Sequence, residues 1–162
     1  MPLRWKLFRI VCALQALYAG LLSAYALYLL LFPGFFVFRL LNVVCFTAIA
    51  LFAGLGLSLI NRNYPDTRPQ GAQKRYFNIL YILNILVLPC LAALIWSDVR
   101  TIMWLLALND NSLSIFWFIT PLIGYSFLLI SNIYLLYMMF RLRRELYANY
   151  LRMIDSIGSE IK

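Results

Sequence analysis

Apolar residues run along this chain in four long blocks, and the charged residues fall between them. No Lys, Arg, Asp or Glu occurs from Ile10 to Phe38, Leu40 to Asn61, Tyr76 to Ser97, or Asn111 to Phe140. Each block can supply the ~20 apolar residues that cross a bilayer core of about 30 Å. The pattern predicts membrane-spanning helices at roughly 10–32, 40–60, 77–97 and 113–140. The fourth block is the longest and is expected to tilt or bend. Residues 1–140 thus form a four-span bundle, and 141–162 a separate tail.

The connections differ in character. Phe32-Pro33-Gly34-Phe35-Phe36 has the proline and glycine of a tight hairpin. Asn61–Arg75 is polar and too short for a folded domain. The third connection, after Asp98 and Arg100, holds Thr101 to Leu108, eight residues that reach only about 12 Å as a helix. That is too short to cross. The expected arrangement is a short helix lying in the interface, capped by Ser97 or Asp98. In the tail, Leu142, Leu146, Tyr150, Met153, Ile157 and Ile161 form one apolar stripe at helical spacing. A cytosolic amphipathic helix is expected there.

Composition agrees with the pattern: 64% of the 162 residues are hydrophobic and 12% charged. A water-soluble domain of this length could not hide so much apolar surface. The net charge of +8 suggests nucleic acid only until its placement is read. Arg4, Lys6 and Arg9 lie in the N-terminal arm; Arg62, Arg68, Lys74 and Arg75 in the middle connection; Arg141, Arg143, Arg144, Arg152 and Lys162 in the tail. The other two connections carry Arg39 and Arg100 alone. Twelve against two, by the positive-inside rule, predicts that both ends lie in the cytosol. Attraction to anionic lipid then accounts for the excess, with Arg141, Arg143 and Arg144 as the expected lipid contacts. No nucleic-acid-binding motif is present. Trp5 at the inner boundary, and Trp96, Trp104 and Trp117 at the outer one, fit an aromatic belt.

The first span imitates a signal peptide, with Ala24-Tyr25-Ala26 at a cleavage-like position. Its apolar run continues through Leu27–Phe32, so a retained span is expected. Cys12, Cys45 and Cys90 all fall within spans without CxxC spacing, which predicts buried free thiols.

Two intramembrane patterns concern packing. Cys12, Ala16, Gly20 and Ala24 in the first span, and Ala50, Gly54 and Ser58 in the second, repeat small residues every four positions. This spacing lets helix backbones approach closely in lipid. Counted from the inner ends, Ala16 matches Gly54 and Gly20 matches Ala50 in depth, so these stripes are expected to make the closest helix contact. Gln15, Asn84 and Asn132 should lie at similar inner-leaflet depth, and an amide in hydrocarbon needs a partner. A polar cluster of these three, with Ser131, is expected. Pro89 and Pro121 fall inside spans and can bend them.

Candidate chemistry is sparse. Histidine is absent, the six acids are scattered over connections and tail, and no phosphate loop or nucleophile elbow appears. No ionisable residue is expected within a span, which weighs against ion paths and proton relays. No cofactor or metal site is expected, and catalysis is not. Three readings follow: a non-catalytic membrane subunit that anchors, assembles or regulates a larger complex; a self-associating pore; and a lipid-handling carrier or enzyme. Expected partners are the lipid bilayer and other membrane subunits or further copies. Short connections, and Asn111-Ser112-Leu113 not being a glycan acceptor, suit a bacterial cytoplasmic membrane.

Overall fold

A computed structural model describes residues 2–32, 36–65, 67, 71–107 and 112–160, with side chains in the last segment described over 117–153. The chain forms four helices, α1 (Leu3–Leu29), α2 (Phe36–Arg62), α3 (Gly71–Ala107) and α4 (Ser112–Glu160). No strand occurs among the described residues. All four helices are long and apolar enough to cross a membrane.

The helices pack in an up–down–up–down bundle. α1 pairs with α2 and α3 with α4; α2 joins the pairs through α3, while α1 and α3 stand on a diagonal and do not meet. We call the base the end that holds the start of α1, the end of α2 and the start of α3. The top holds the α1–α2 turn. Outward faces are apolar throughout: Leu14, Leu17 and Leu21 of α1, Ile79, Ile82 and Leu86 of α3, and Ile123, Ile130 and Ile133 of α4 are all exposed. A patch of that size does not survive in water. With four candidate spans, this is an integral membrane protein.

The buried face of α1 runs Trp5, Phe8, Cys12, Gln15, Ala19, Ser23, Ala26. Its steps mix threes and fours, the near-3.5 repeat of helices that cross at a shallow angle. α2 touches three neighbours and buries a wider face, from Cys45 and Phe46 to Leu59 and Ile60. α3 is the most exposed helix and buries a narrow line at Phe77, Asn84, Val87 and Leu91. Two cores result. The lower one gathers Trp5, Phe8, Phe52, Phe77, Met139, Leu142 and Leu146; the upper one gathers Ala19, Phe46, Ile49, Leu91 and Leu128.

Several expectations need correction. The third connection holds no separate interfacial helix: α3 continues unbroken through Asp98, Arg100 and Trp104 to Ala107, with Thr101 Oγ1 donating to the Ser97 carbonyl at 2.9 Å. A helix whose backbone bonds are already made has no reason to stop at the first charge. Asp98, expected in a connection, is therefore a helical residue, partly buried, with one carboxylate oxygen that is buried and makes no hydrogen bond. α3 likewise begins at Gly71, inside the segment expected to be a polar connection. α4 has no break at 140/141, and Leu142 and Leu146 of the expected tail stripe lie in the lower core. Trp5 is fully buried rather than set in a lipid-facing belt. Both α3 and α4 run as continuous helices past Pro89 and Pro121.

Arg39 organises the top. Its guanidinium donates to the Leu29 and Phe32 carbonyls at 2.6 Å each, so a cation sits on the carbonyls at and just past the end of α1, where the helix dipole favours it. The turn itself, at Pro33, Gly34 and Phe35, lies outside the described residues, as do 108–111 and the side chain of Ile157 and residue Ile161.

Candidate functional site

The small-residue stripes are not the closest contact. A methyl group added at Gly20 or Gly54 would meet nothing within 4 Å. Ala16, Ala50 and Ser58 are half-buried and Ala24 is exposed. Between α1 and α2 the tight approach is at Gly56, where an added methyl would lie 2.9 Å from Cys12 Sγ, 3.2 Å from Phe8 Cζ and 3.3 Å from Met139 Sδ; between α1 and α4 it is at Gly124, where an added methyl would collide with the Tyr18 hydroxyl. The antiparallel register is nonetheless the one the stripes imply. Ser23 and Thr47 hydroxyls, 2.6 Å apart, pair in the same register as Ala16 with Gly54 and Gly20 with Ala50. The difference is rotation about the helix axes, not sliding along them.

The intramembrane amides divide. Gln15, Asn84 and Asn132 are all fully buried. Asn84 Nδ2 donates to the Ala48 carbonyl of α2 at 3.2 Å and to the Leu80 carbonyl of its own helix at 2.8 Å. Asn132 Nδ2 donates to the Asn84 carbonyl at 3.4 Å, and Ser131 Oγ to the Leu128 carbonyl at 3.2 Å. Asn84 and Asn132 thus tie α2, α3 and α4 together. Gln15 does not join them: neither of its amide atoms has a hydrogen-bond partner among the described residues. A cross-helix amide bond in lipid averages ~0.6 kcal/mol, which suits structural glue.

At the base, one acid collects several donors. Glu145 on α4 accepts from Arg4 at 2.7 Å, from Trp5 Nε1 at 3.2 Å and from the Tyr64 hydroxyl at 3.3 Å. Arg4 also lies over the Trp5 ring, 5.4 Å from its centroid, and Tyr64 packs beside Trp5 at 5.9 Å. Burial, with Glu145 beside it, pushes the Tyr64 hydroxyl above its ordinary range. One turn on, Asn149 Nδ2 donates to the Pro65 carbonyl at 3.0 Å. These bonds clamp α4 to α1 and to the α2–α3 connection where it passes the base.

Beside the clamp, between the first turns of α3 and the 140–147 stretch of α4, opens a cleft of about 430 Å³. Its floor and walls are apolar, from Leu59, Phe77, Phe140 and Leu146. Lys74, Arg143 and Arg144 stand on its rim with Gln73 and Tyr147. Arg143 is fixed in place: it donates to Asn78 Oδ1 at 2.7 Å and lies over the Phe77 ring at 5.0 Å. Lys74 is in the first turn of α3, where the helix dipole favours anions. Among the described residues no acid lines the cleft; Glu145, next to Arg144 in sequence, takes part in the clamp.

Of the arginines expected to touch lipid, Arg143 and Arg144 belong to this cleft. Arg141 does not; it faces a second, more open cleft of about 530 Å³ with Tyr137 and Glu145, which Arg144 and Phe140 line as well, and donates to the Tyr137 hydroxyl at 3.3 Å. Lys74, Phe77 and Glu145 were not singled out by the sequence. The available signal is spacing: Phe140, Arg143, Arg144 and Tyr147 share one face of α4, and Lys74 and Phe77 share one face of α3. Among the described residues no group of three or more His, Cys, Asp or Glu side chains is placed to hold a metal. Compared with known proteins, this chain matches no family model, no curated protein and no solved structure.

Proposed function

We propose that this chain is a non-catalytic membrane subunit that anchors or assembles a larger complex, with its base and both ends in the cytosol. One observation carries the reading. α4 leaves the bundle as an unbroken helix of 49 residues, about 73 Å long at 1.5 Å per residue, more than twice what a bilayer core needs. The clamp at Glu145 and Asn149 holds it at the point of exit. Beyond that point Leu151 and Met153 are exposed. A rigid helix fixed to a membrane bundle, with apolar side chains in water, suits docking of a cytosolic or membrane partner. A bacterial cytoplasmic membrane is the setting in which the charge distribution of the connections reads most simply.

The pore reading draws less support, since Asn84 and Asn132 are buried inside one bundle rather than set on a face that a second copy could complete. The test is gentle extraction from the native membrane, followed by mass measurement of the intact particle. Stoichiometric partner chains are expected. A monodisperse lone chain that captures nothing would refute the proposal. A tag placed after residue 162 should be reachable only after the membrane is breached.

A further inference from the structure

We infer that the cleft between α3 and α4 at the base is a binding site for one anionic phospholipid. Its phosphate would lie between Lys74, Arg143 and Arg144, and its acyl chains would lie along Phe77 and Phe140. Three observations lead there. Among the described residues the rim carries three cations and no acid, although the acid nearest in sequence, Glu145, sits one residue from Arg144. That acid is bonded to Arg4, Trp5 and Tyr64 and makes no ion pair with Lys74, Arg143 or Arg144. Lys74 and Arg144 make no hydrogen bond or ion pair among the described residues, while Arg143 is pinned by Asn78 and Phe77 and needs no reordering to receive a phosphate.

The cleft is also amphipathic in the sense a lipid requires. Its cations lie where the chain passes from the spans to the base, and its apolar walls continue upward into the exposed face of α4 at Phe140 and Ile133. A free phosphate would use the rim and leave the apolar floor unused. The volume of about 430 Å³ falls within the range of small-molecule sites. Basic pockets between spanning helices at the cytosolic surface are where anionic headgroups are held. The inference is independent of whether protein partners exist. It also narrows the sequence expectation, because Arg141 lies outside the site.

The test uses the full chain purified in a neutral detergent, with phosphatidylglycerol, phosphatidylcholine and glycerol phosphate as probes and retention read by native mass spectrometry. One phosphatidylglycerol per chain should be retained in preference to phosphatidylcholine, and millimolar glycerol phosphate should not displace it. The double variant K74Q/R144Q should weaken retention about thirtyfold, the sum of two cations at the usual attraction near an anionic surface. Arg141→Gln should change it less than twofold, and K74R/R144K should restore it. Helical content and elution volume report whether each variant is folded; the comparison of the two lipids on the unmodified chain needs no variant. Equal retention of the two lipids, or equal loss with Arg141→Gln, would overturn the site. Displacement by glycerol phosphate would make it a phosphate site rather than a lipid site, and the inference would fail.

Discussion

Gly56 offers a direct measure of whether the bundle packs as described. An alanine there would set its methyl carbon 2.9 Å from Cys12 Sγ, 3.2 Å from Phe8 Cζ and 3.3 Å from Met139 Sδ. All three neighbours are fully buried in the lower core. Met139 can yield, being long and unbranched. Phe8 is held edge-on against Trp5, with ring centroids 5.8 Å apart, and Cys12 has only one torsion to turn. Inserting a methyl into such a site costs about 1–3 kcal/mol, offset by the 0.5–1 kcal/mol or so by which alanine outdoes glycine within a helix. A net loss of about 1–2 kcal/mol is expected for Gly56→Ala and more for Gly56→Leu. Gly54→Ala and Gly20→Ala meet nothing within 4 Å, so only the helix-propensity gain remains and stability should hold or rise slightly. The measurement is unfolding by SDS titration from mild detergent micelles, followed by the fluorescence of Trp5, whose burial is lost with the core. If Gly54→Ala costs as much as Gly56→Ala, the two helices are rotated differently from this description and the packing account fails.

The other expectations follow from the same contacts. Gln15→Leu should leave stability unchanged or raise it, because an unbonded buried amide costs about 1–3 kcal/mol; SDS titration would show a clear loss if Gln15 had a strong partner. Asn84→Leu should cost about 1 kcal/mol, in the range of cross-helix bonds in lipid, and should weaken the α2–α3 contact seen by cross-linking. Glu145→Ala removes an acceptor for three donors. With Arg4 and Glu145 side chains 43% and 22% exposed, the ion pair itself contributes no more than ~1 kcal/mol. The sharper expected result is faster protease cleavage after residue 141 with the spans still protected. Polar maleimides should leave Cys12 and Cys45 unlabelled in intact membranes and label them after SDS denaturation, since both are buried free thiols.

The sequence revealed the number of helices and the depth at which residues of α1 and α2 face each other, because both depend on where charges interrupt apolar runs. It concealed rotation about the helix axis, for a geometric reason. A step of four residues turns a helix by 400°, so a strict every-fourth stripe drifts by about 40° per step. Ala16 and Gly20 are half-buried, and by Ala24 the stripe has rotated into the open. The buried line from Trp5 through Cys12, Gln15, Ala19 and Ser23 to Ala26 mixes threes with fours and so keeps facing the bundle. Gln15 concealed it further, since an amide is not read as a packing residue. The cleft is not legible in the sequence, because Lys74 falls in what reads as a polar connection. Helices do not stop where hydrocarbon does, and α3 begins three residues before Lys74.

Charge in this chain therefore has two readings that share residues. Counting Lys and Arg on either side of the spans predicts orientation, yet several of those residues are held in place by the fold. Arg39, on the poorer side, covers the carbonyls that end α1. Arg4 belongs to the clamp on Glu145, and Arg143 to Asn78 and the Phe77 ring. Removing Arg39 should therefore loosen the top of the α1–α2 hairpin without changing which side faces the cytosol, because the imbalance it opposes only grows. Lys74 and Arg144 are different in kind: they line a cleft and make no bond within the described protein. Cations with no bond among the described residues, placed around an apolar cleft, are where a charge count stops describing topology and begins to describe recognition.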